Sequence, residues 1–380
     1  MEPQFEHIVR HIQQVQANAL ASVNRELINL YWQMGQYLHF QLQNSHWGDK
    51  TMVKFDHFVK QNHPELKGFE RRNLYRMIQF YQTYAPLTQT MSAVRSQMQN
   101  AENEENKIVS AVRSQLDLGR KLQLKANTAS PYILDGISLS DIRNTDLSKL
   151  SWTHHRLILS SCESTEEKLF YIKLCLQEKY SSRQLERQIK AAVFERIMQN
   201  NATLPATVKN LHPNILNTFK DNYVFEFLNL KEPFNEHDLQ KELVVQFKNV
   251  LLELGADFLF IANEYKLMVG QSDFYIDLLL YHRNLQCLVA IELKTEKFKP
   301  EHLGQLNFYL EALDRDVKKE NENPSIGILL CKNKEQEVVE YALSRSLSPT
   351  MVAKYQLSLP DKKLLQQKLV ELFMLQNNQE

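Results

Sequence analysis

Hydrophobic residues in the first third of the chain recur at the three- and four-residue spacing of an amphipathic helix. Ile8, Ile12 and Val15 begin the pattern, and a second run between Val23 and Leu38 continues it. We therefore predict a long first helix with one apolar face.

Two shorter helical segments follow, one from about residue 50 and one from about residue 70 to residue 84. Between them, the run His63-Pro64-Glu65-Leu66-Lys67-Gly68 is typical of a turn. Two short helices around a glycine-containing turn are also the skeleton of a helix-turn-helix. We predict that residues 1–84 form a helical, helix-turn-helix-like region that binds DNA or a partner.

The middle of the chain is more polar. The hexapeptide SAVRSQ occurs at residues 92–97 and again at 110–115, and the run QNAENEEN lies between the copies at 99–106. Such a composition favours a solvated connector over residues 85–130. Helical periodicity returns in residues 131–200, where Thr165 and Ser181 begin segments with capping-type sequences.

The last third changes from helical spacing to short apolar runs of strand length, at residues 258–262, 274–282, 285–293 and 326–331. Helix-length segments precede, separate or follow them, at residues 239–254, 299–314 and 334–343. The first of these helices ends at Gly255, a typical residue after a helix C-terminus. We predict an α/β domain over residues 225–380.

Composition excludes several classes of protein. The chain has nine glycines in 380 residues, and no two of them are separated by a single residue, so neither a Rossmann fingerprint nor a Walker loop is present. Lys+Arg and Asp+Glu both total 45, so any nucleic-acid contact must come from local patches. Four scattered cysteines without a C-x-x-C pair indicate neither a zinc knuckle nor a disulfide framework. Without a signal sequence or a bilayer-length apolar run, the chain is expected to be cytoplasmic and not bound to a membrane.

Three charged residues lie within the most apolar part of the last third. Asp277 lies in one strand-like run, Glu292 and Lys294 lie in the next, and Arg283-Asn284-Leu285 is the plausible turn between them. With a two-residue loop at 284–285, Asp277 faces Glu292 across the hairpin, and Lys294 shares the face of Glu292. A one-residue change of loop would break this juxtaposition, so the expectation is conditional.

Two carboxylates about 5 Å apart repel each other by about 3 kcal/mol at an effective dielectric constant near 20. A shared proton or a bound cation would make the arrangement favourable, and oxygen ligands beside a lysine suit Mg²⁺ or Mn²⁺. The alternative is that Asp277 and Glu292 cap strand ends on a wet surface, paired with lysines. The apolar runs around them favour a functional site.

Motifs over nearly the whole chain carry a resemblance to a known family. They comprise Phe274–His282, Ile291–Lys294, Phe298–Leu310, Pro324–Cys331, Tyr31-Trp32, Trp47-Gly48, Lys67–Phe69, Asn73-Leu74, Ser151–His155 and Ser181–Leu185. With these motifs the chain resembles the PD-(D/E)xK phosphodiesterase superfamily, and more narrowly the YhcG-type family of bacterial nucleases. The resemblance implies an α+β multidomain protein: a helical N-terminal region followed by a restriction-endonuclease-like α/β domain with a mixed central sheet.

The same resemblance implies roles for individual residues. Asp277 and Glu292 would bind the metal ion, Mg²⁺ or Mn²⁺, and Lys294 would be the catalytic lysine. Gln305 and Tyr309, four residues apart, resemble the Q-x-x-x-Y extension of some nucleases in the superfamily and would join the catalytic residues. For Tyr309, a place in the hydrophobic core is an equal alternative.

Departures from the family pattern put part of the site in doubt. Relatives often carry a glutamate where this chain has Gln240, an Arg-Gln pair where it has Asn263-Glu264, and a glycine where it has Glu296. The departures leave the metal ligands intact. They put in doubt the presence of the auxiliary acid and of the family's substrate contacts. They are also compatible with a decayed nuclease that has lost activity and still binds its substrate.

A local excess of basic residues marks the candidate nucleic-acid surface. Between residues 50 and 76 seven basic side chains oppose three acidic ones, and aromatic residues are interleaved. The alternative is a solvated helix face. The candidate nucleic-acid-binding residues are Lys50, Lys54, Lys60, Lys67, Arg71, Arg72 and Arg76.

These observations predict a Mg²⁺-dependent nuclease that hydrolyses phosphodiester bonds. The resemblance favours DNA as the substrate, with a role in recombination, repair or defence. One alternative is a catalytically decayed nuclease fold that binds nucleic acid or protein. A second is a helical scaffold that forms a homo-oligomer through its N-terminal region, which would leave the buried acidic hairpin unexplained.

Overall fold

A computed structural model of the chain describes residues 2–44, 48–88, 122–127, 133–199, 219–255, 257–344, 346 and 348–377. The chain divides into two compact units, Met1–Ile189 and Lys190–Glu380. The SAVRSQ repeat and the polar run between its copies lie outside the described residues.

The described part of the first unit is mainly helical, as the spacing of apolar residues predicts. Its helices are α1 (Glu2–Gln43), α2 (Asp49–Asn62), α3 (Arg71–Thr88), α4 (Trp152–Ser161), α5 (Thr165–Glu178) and α6 (Ser182–Lys190). A short hairpin pairs β1 (Ile133–Leu134) with β2 (Ile137–Ser138). The segment between α2 and α3 is longer than the three or four residues of a typical helix-turn-helix turn.

Close packing of α1 against α3 forms the centre of this unit. A Cβ atom at Gly35 would collide with the backbone oxygen of Met77, so a glycine at this position lets the two helices approach. Trp32 and Phe80 are fully buried beside this contact, with ring centroids 5.6 Å apart. The N-terminal half of α1 differs, because Ile8 and Ile12 are half exposed.

In the second unit, six strands form one mixed sheet in the order β3-β8-β7-β6-β5-β4. The strands are β3 (Asn222–Val224), β4 (Phe258–Val269), β5 (Ser272–His282), β6 (Cys287–Lys297), β7 (Ile326–Asn333) and β8 (Thr350–Gln356). Strands β4, β5 and β6 are antiparallel, and β6, β7, β8 and β3 run parallel. In the order of the chain, a helical N-terminal region is followed by a domain with a mixed sheet, which confirms the predicted fold class.

Helices pack on both faces of the sheet. The described helices of the second unit are α7 (Val193–Met198), α8 (Glu236–Val245), α9 (Phe247–Leu254), α10 (His302–Asp316), α11 (Gln336–Leu343) and α12 (Lys362–Asn377). The apolar sides of α8 and α9 pack on one face and those of α10 and α11 on the other. At Gly327 of β7, an added Cβ would lie 2.9 Å from Cγ of Leu306, so the glycine brings α10 close to the sheet.

Candidate active site

The β5–β6 hairpin brings the first two candidate residues together. Its ladder runs from His282 opposite Cys287 to Leu278 opposite Ile291, and one further step in this register sets Asp277 opposite Glu292. The connection spans four residues, 283–286, instead of two, but it preserves the register because the outer two residues simply do not pair. The hairpin register is therefore the one that the sequence predicts.

Where the backbone ladder of β5 and β6 ends, the side chain of Asp277 forms a hydrogen bond to the neighbouring strand. Its Oδ2 accepts a hydrogen bond of 2.8 Å from the backbone N–H of Leu293. Glu292 is almost completely buried, and its Oε1 accepts a bond of 3.1 Å from Nζ of Lys294. The other carboxylate oxygen of Glu292 is buried without a hydrogen-bond partner. Because an unsatisfied buried oxygen is costly, this atom is available for a cationic ligand.

The electrostatics of the two acids follow from burial. The pKa of Glu292 is raised to about 7, mainly by burial and further by the charge of Asp277, while Lys294 opposes the rise. Burial likewise raises the pKa of Asp277, against the Leu293 amide and Lys294. For Lys294, burial alone would lower the pKa, but the neighbouring Glu292 and Glu236 carboxylates raise it. The single lysine therefore neutralises the acids only in part.

Helix α8 contributes a residue that the sequence analysis missed. Glu236, in the first turn of α8, accepts a hydrogen bond of 3.3 Å from Nζ of Lys294. Gln240, one turn later, is buried and donates a bond of 2.9 Å to the backbone oxygen of Asp277. The i−4 spacing from Gln240 is the signal that would have pointed to Glu236. By contrast, Asp238 caps the helix and does not face the acids.

A further acid flanks the pair on β4. Glu264 lies between the residues that pair with Leu278 and Ile276, and therefore opposite Asp277. Its backbone is left-handed, with φ of 48°, and its side chain is exposed. Its charge adds to the rise in the pKa of Asp277. The departure from the family pattern at this position thus places a carboxylate at the edge of the site.

Helix α10 brings Gln305 and Tyr309 to the same region. Gln305 Nε2 donates a hydrogen bond of 2.7 Å to the Tyr309 hydroxyl. Burial raises the pKa of Tyr309, and the charges of Glu292 and Asp277 raise it further. The ring itself is 3% exposed and packs in the core under α10. The ring of Tyr309 is therefore in the core, and a catalytic role for its hydroxyl stays a prediction.

In the part of the chain that the structure describes, no group of three or more His, Cys, Asp or Glu side chains is arranged to hold a metal ion. Asp277 and Glu292 are a pair, and Glu236 reaches them through Lys294. Two carboxylates, one of them with an unsatisfied buried oxygen, are a donor set that suits a hard divalent cation.

The seven candidate nucleic-acid-binding residues lie in the first unit. Helix α2 carries Lys50, Lys54 and Lys60, the segment after it carries Lys67, and α3 carries Arg71, Arg72 and Arg76. Lys60 forms an ion pair of 2.8 Å with Asp56, and the guanidinium of Arg71 lies over the ring of Tyr75. Arg76 is half-buried beside two other arginines.

None of the described helices is both long and apolar enough to cross a membrane. The four cysteines are free and buried.

Comparisons with known proteins cover both units. A family profile described as the YhcG PDDEXK nuclease domain matches residues 216–370, and one described as the DUF1016 N-terminal domain matches residues 7–114 and 137–196. The curated Escherichia coli (strain K12) protein "Putative nuclease YhcG" is 34% identical over 227 residues, which are 57% of this chain and 59% of that protein. The chain thus aligns with less than two thirds of that relative's length.

Two solved structures are also similar over about a third of the chain. They are a repair endonuclease from Pyrococcus abyssi, covering 34% of this chain and 50% of that one, and the EndoMS-dsDNA2 complex, covering 35% and 49%. Both are 14% identical with a TM-score of 0.23, too low to support an argument. The two family profiles together span most of the chain. The chain is thus similar to the YhcG-type nucleases: its first part matches the DUF1016 N-terminal domain, and its last part matches the YhcG PDDEXK nuclease domain.

Proposed function

We propose that the chain is a Mg²⁺- or Mn²⁺-dependent endonuclease that hydrolyses phosphodiester bonds in DNA. The observation that carries the proposal is the buried, unpartnered oxygen of Glu292 beside Asp277 and Lys294. Asp277 and Glu292 would hold the cation. When bound there, it would polarise the scissile phosphate and lower the pKa of a coordinated water.

The protein's own groups supply orientation and charge. The Leu293 amide fixes the Asp277 carboxylate, and Gln240 fixes the backbone behind it. Glu292 and Glu236 hold the Lys294 ammonium between them, where it stabilises negative charge that develops on the phosphate. Gln305 in the first turn of α10 and Tyr309 in its middle would contact the substrate beside the acids.

The test combines cleavage with a metal-binding measurement. Purified protein is incubated with plasmid, linear and single-stranded DNA in Mg²⁺ or Mn²⁺, alongside Asp277→Ala and Lys294→Ala. We expect each substitution to reduce cleavage by at least about a thousandfold, in line with the loss of a group that acts in the transition state. Mg²⁺ should also raise the melting temperature of the native protein and not of Asp277→Ala, since a ligand stabilises the state that binds it.

Asp273→Ala is the matched control, because Asp273 lies on the same strand in an exposed ion pair with Lys266. It should cleave normally and respond to Mg²⁺. Cleavage that survives both Asp277→Ala and Lys294→Ala would reject the site assignment.

A second candidate function is a decayed nuclease fold that binds DNA without cutting it. The observation in its favour is Gln240, whose amide makes a purely structural hydrogen bond to the Asp277 backbone. DNA binding without cleavage in Mg²⁺ and in Mn²⁺ would establish this alternative. Under either function, recombination, repair or defence of DNA is the proposed setting.

The first unit supports two proposed partners. The basic residues of α2 and α3 would bind DNA, as developed below. A second copy of the chain would pack on the N-terminal half of α1, where Ile8, Ile12, Val15 and Val23 are at least half exposed and residues 12–24 carry no charged side chain. Light scattering should show a dimer that Ile12→Asp converts to a monomer; a monomeric native protein would reject this partner.

The proposed location is the cytoplasm. Its support is the state of the four cysteines, which are free thiols in the interior and suit a reducing compartment.

A further inference from the structure

Three arginines converge where α3 packs against α4 in the first unit. Two contacts between the helices define this packing: Trp152 Nε1 donates a hydrogen bond of 2.8 Å to Asn73 Oδ1, and Gln79 Nε2 donates one of 3.5 Å to the backbone oxygen of Leu159. Arg76 lies midway between the two contact residues of α3, and Arg156 lies midway between those of α4. The two arginines are therefore at the same level of the packed helices.

Arg72 extends this pair along α3. It precedes Arg76 by four residues, which places both on one side of the helix. Burial lowers the pKa of Arg76, and the charges of Arg156 and Arg72 lower it further, consistent with the place of both groups beside Arg76 on the packed helices. Arg72 and Arg156 are exposed, so the cluster opens to the surface.

These arginines lack the partners that others have. Within the described ranges, no carboxylate forms an ion pair with Arg72, Arg76 or Arg156. Several other described arginines, namely Arg143, Arg196, Arg283 and Arg315, do have an acidic side chain within ion-pair distance. Like charges brought together without counter-charge are unfavourable, so the cluster is suited to an external anion.

The position at the start of α3 favours an anion as well. The first turn of this 18-residue helix contains no acidic residue and contains Arg72. The positive end of a helix dipole repels such a side chain but attracts a phosphate. Because the cluster is an open surface instead of an enclosed cavity, it fits a chain of phosphates better than a single small anion.

We propose that Arg72, Arg76 and Arg156 form a phosphate-binding cluster that holds the backbone of duplex DNA. The proposal rests on DNA being the substrate, and it adds Arg156, which lies 80 residues beyond Arg76 and outside the basic segment 50–76. The cluster contributes affinity that does not depend on base sequence, since phosphate contacts carry no direct sequence information.

The experiment measures binding of a fluorescent DNA duplex by anisotropy over a series of NaCl concentrations. It uses the full chain with Asp277→Ala in metal-free buffer, so that cleavage does not interfere. Adding Arg156→Gln should weaken binding about tenfold at low salt and reduce the slope of log affinity against log salt by about 0.9, the contribution of one phosphate contact. Arg72→Gln, at an exposed position, should act in the same direction and provides a second variant if Arg156→Gln fails to fold.

Arg183→Gln is the control, because it removes the same charge from an exposed position on α6. Its affinity and salt slope should be unchanged. If the Asp277→Ala protein binds the duplex and both cluster variants bind with its affinity and slope, the cluster proposal is rejected while DNA binding stands. If the Asp277→Ala protein shows no duplex binding at low salt, the proposed DNA substrate and this cluster fail together.

Discussion

Two regions of the second unit each bury a glutamate, and they differ in how far the charge of the carboxylate is balanced by its neighbours. Glu253 on α9 is fully buried, and its carboxylate receives Arg196 at 3.1 Å, Lys220 at 3.3 Å and the backbone N–H of Val224 at 3.1 Å. Glu292 on β6 is as deeply buried, but it has one lysine, a second acid beside it and an oxygen without a partner.

The difference separates a structural carboxylate from one that has the environment expected of a candidate metal ligand. Around Glu253 two basic side chains balance the charge of the carboxylate and a backbone N–H donates to it, so the group holds α7, α9 and β3 in place. Around Glu292 the counter-charge is deficient, which leaves room for a cation. Burial alone does not distinguish the two; the degree to which the charge is satisfied does.

Removing the charge of Glu253 is expected to have the largest effect on stability. Glu253→Gln would leave the Arg196 guanidinium, whose side chain is 6% exposed, and Lys220 without a counter-charge. Breaking a buried pair on one side costs about 3–5 kcal/mol. Calorimetric unfolding should show this loss, and Glu311→Gln, in an exposed pair with Arg315, should stay within about 0.5 kcal/mol.

The same substitution at Glu292 is expected to have the opposite sign. The pKa of Glu292 is raised from 4.5 to about 7, so its contribution to stability is present below pH 4.5 and is lost as the pH rises through 7. The native protein without metal should therefore lose about 3 kcal/mol between pH 4 and pH 8, from a pKa difference of about 2.5 units. Glu292→Gln should be free of this loss and inactive. A pH-independent native protein, or a Glu292→Gln protein less stable than the native one at pH 8, would contradict the contrast drawn here.

Glu236 tests whether the partners of Lys294 matter for catalysis. Its carboxylate is 44% exposed, so Glu236→Gln should change stability little. We expect a decrease of about tenfold in cleavage rate, because Lys294 loses one of two groups that orient it; a tenfold change corresponds to about 1.4 kcal/mol. Glu242→Gln removes the same charge from the same helix, where the carboxylate accepts the Asn229 N–H, and should leave the rate unchanged. Equal cleavage rates for Glu236→Gln and Glu242→Gln would exclude Glu236 from the site and leave only residues of the β-hairpin as partners of Lys294.

The smallest expected effect is at Tyr309. Tyr309→Phe keeps the buried ring and removes the hydroxyl that accepts the bond from Gln305. Stability should fall by about 1 kcal/mol, the net value of one hydrogen bond, and the cleavage rate by a few-fold. Tyr341→Phe, on the exposed side of α11, is the control. A normal rate with lower stability would assign Tyr309 to the core alone.

The β-hairpin at the site could be predicted from sequence because alternation allows only two outcomes for each residue. Apolar runs on both sides of Asp277 and Glu292 located the strands, and the two-residue and four-residue loops have the same register because both are centred on residues 284 and 285. Helix α8 was harder to predict from the sequence. The spacing predicts one continuous helix over residues 239–254, whereas the structure has two helices, α8 and α9, that meet at Gln246. The break lies between two apolar segments and has no proline or glycine to mark it.

Long-range packing accounts for what the sequence analysis missed. Glu236 reaches Lys294 across 58 residues, and Arg156 reaches Arg76 through the docking of α4 on α3. Strands β3 and β8 are short, and they pair with each other over more than a hundred residues of sequence. Local periodicity identifies an element, but the side chains that meet between elements depend on how the elements pack.

Gly327 of β7 lies against α10 and has no side chain that could take part in chemistry. Because Leu306 of α10 packs directly on this glycine, the lack of a side chain at position 327 sets the distance between the sheet and the helix that carries Gln305 and Tyr309. A side chain at position 327 would lift the helix and shift both groups while every charge in the site stayed in place. The distance between α10 and the sheet is thus set by a residue in the interior that is not itself a candidate site residue.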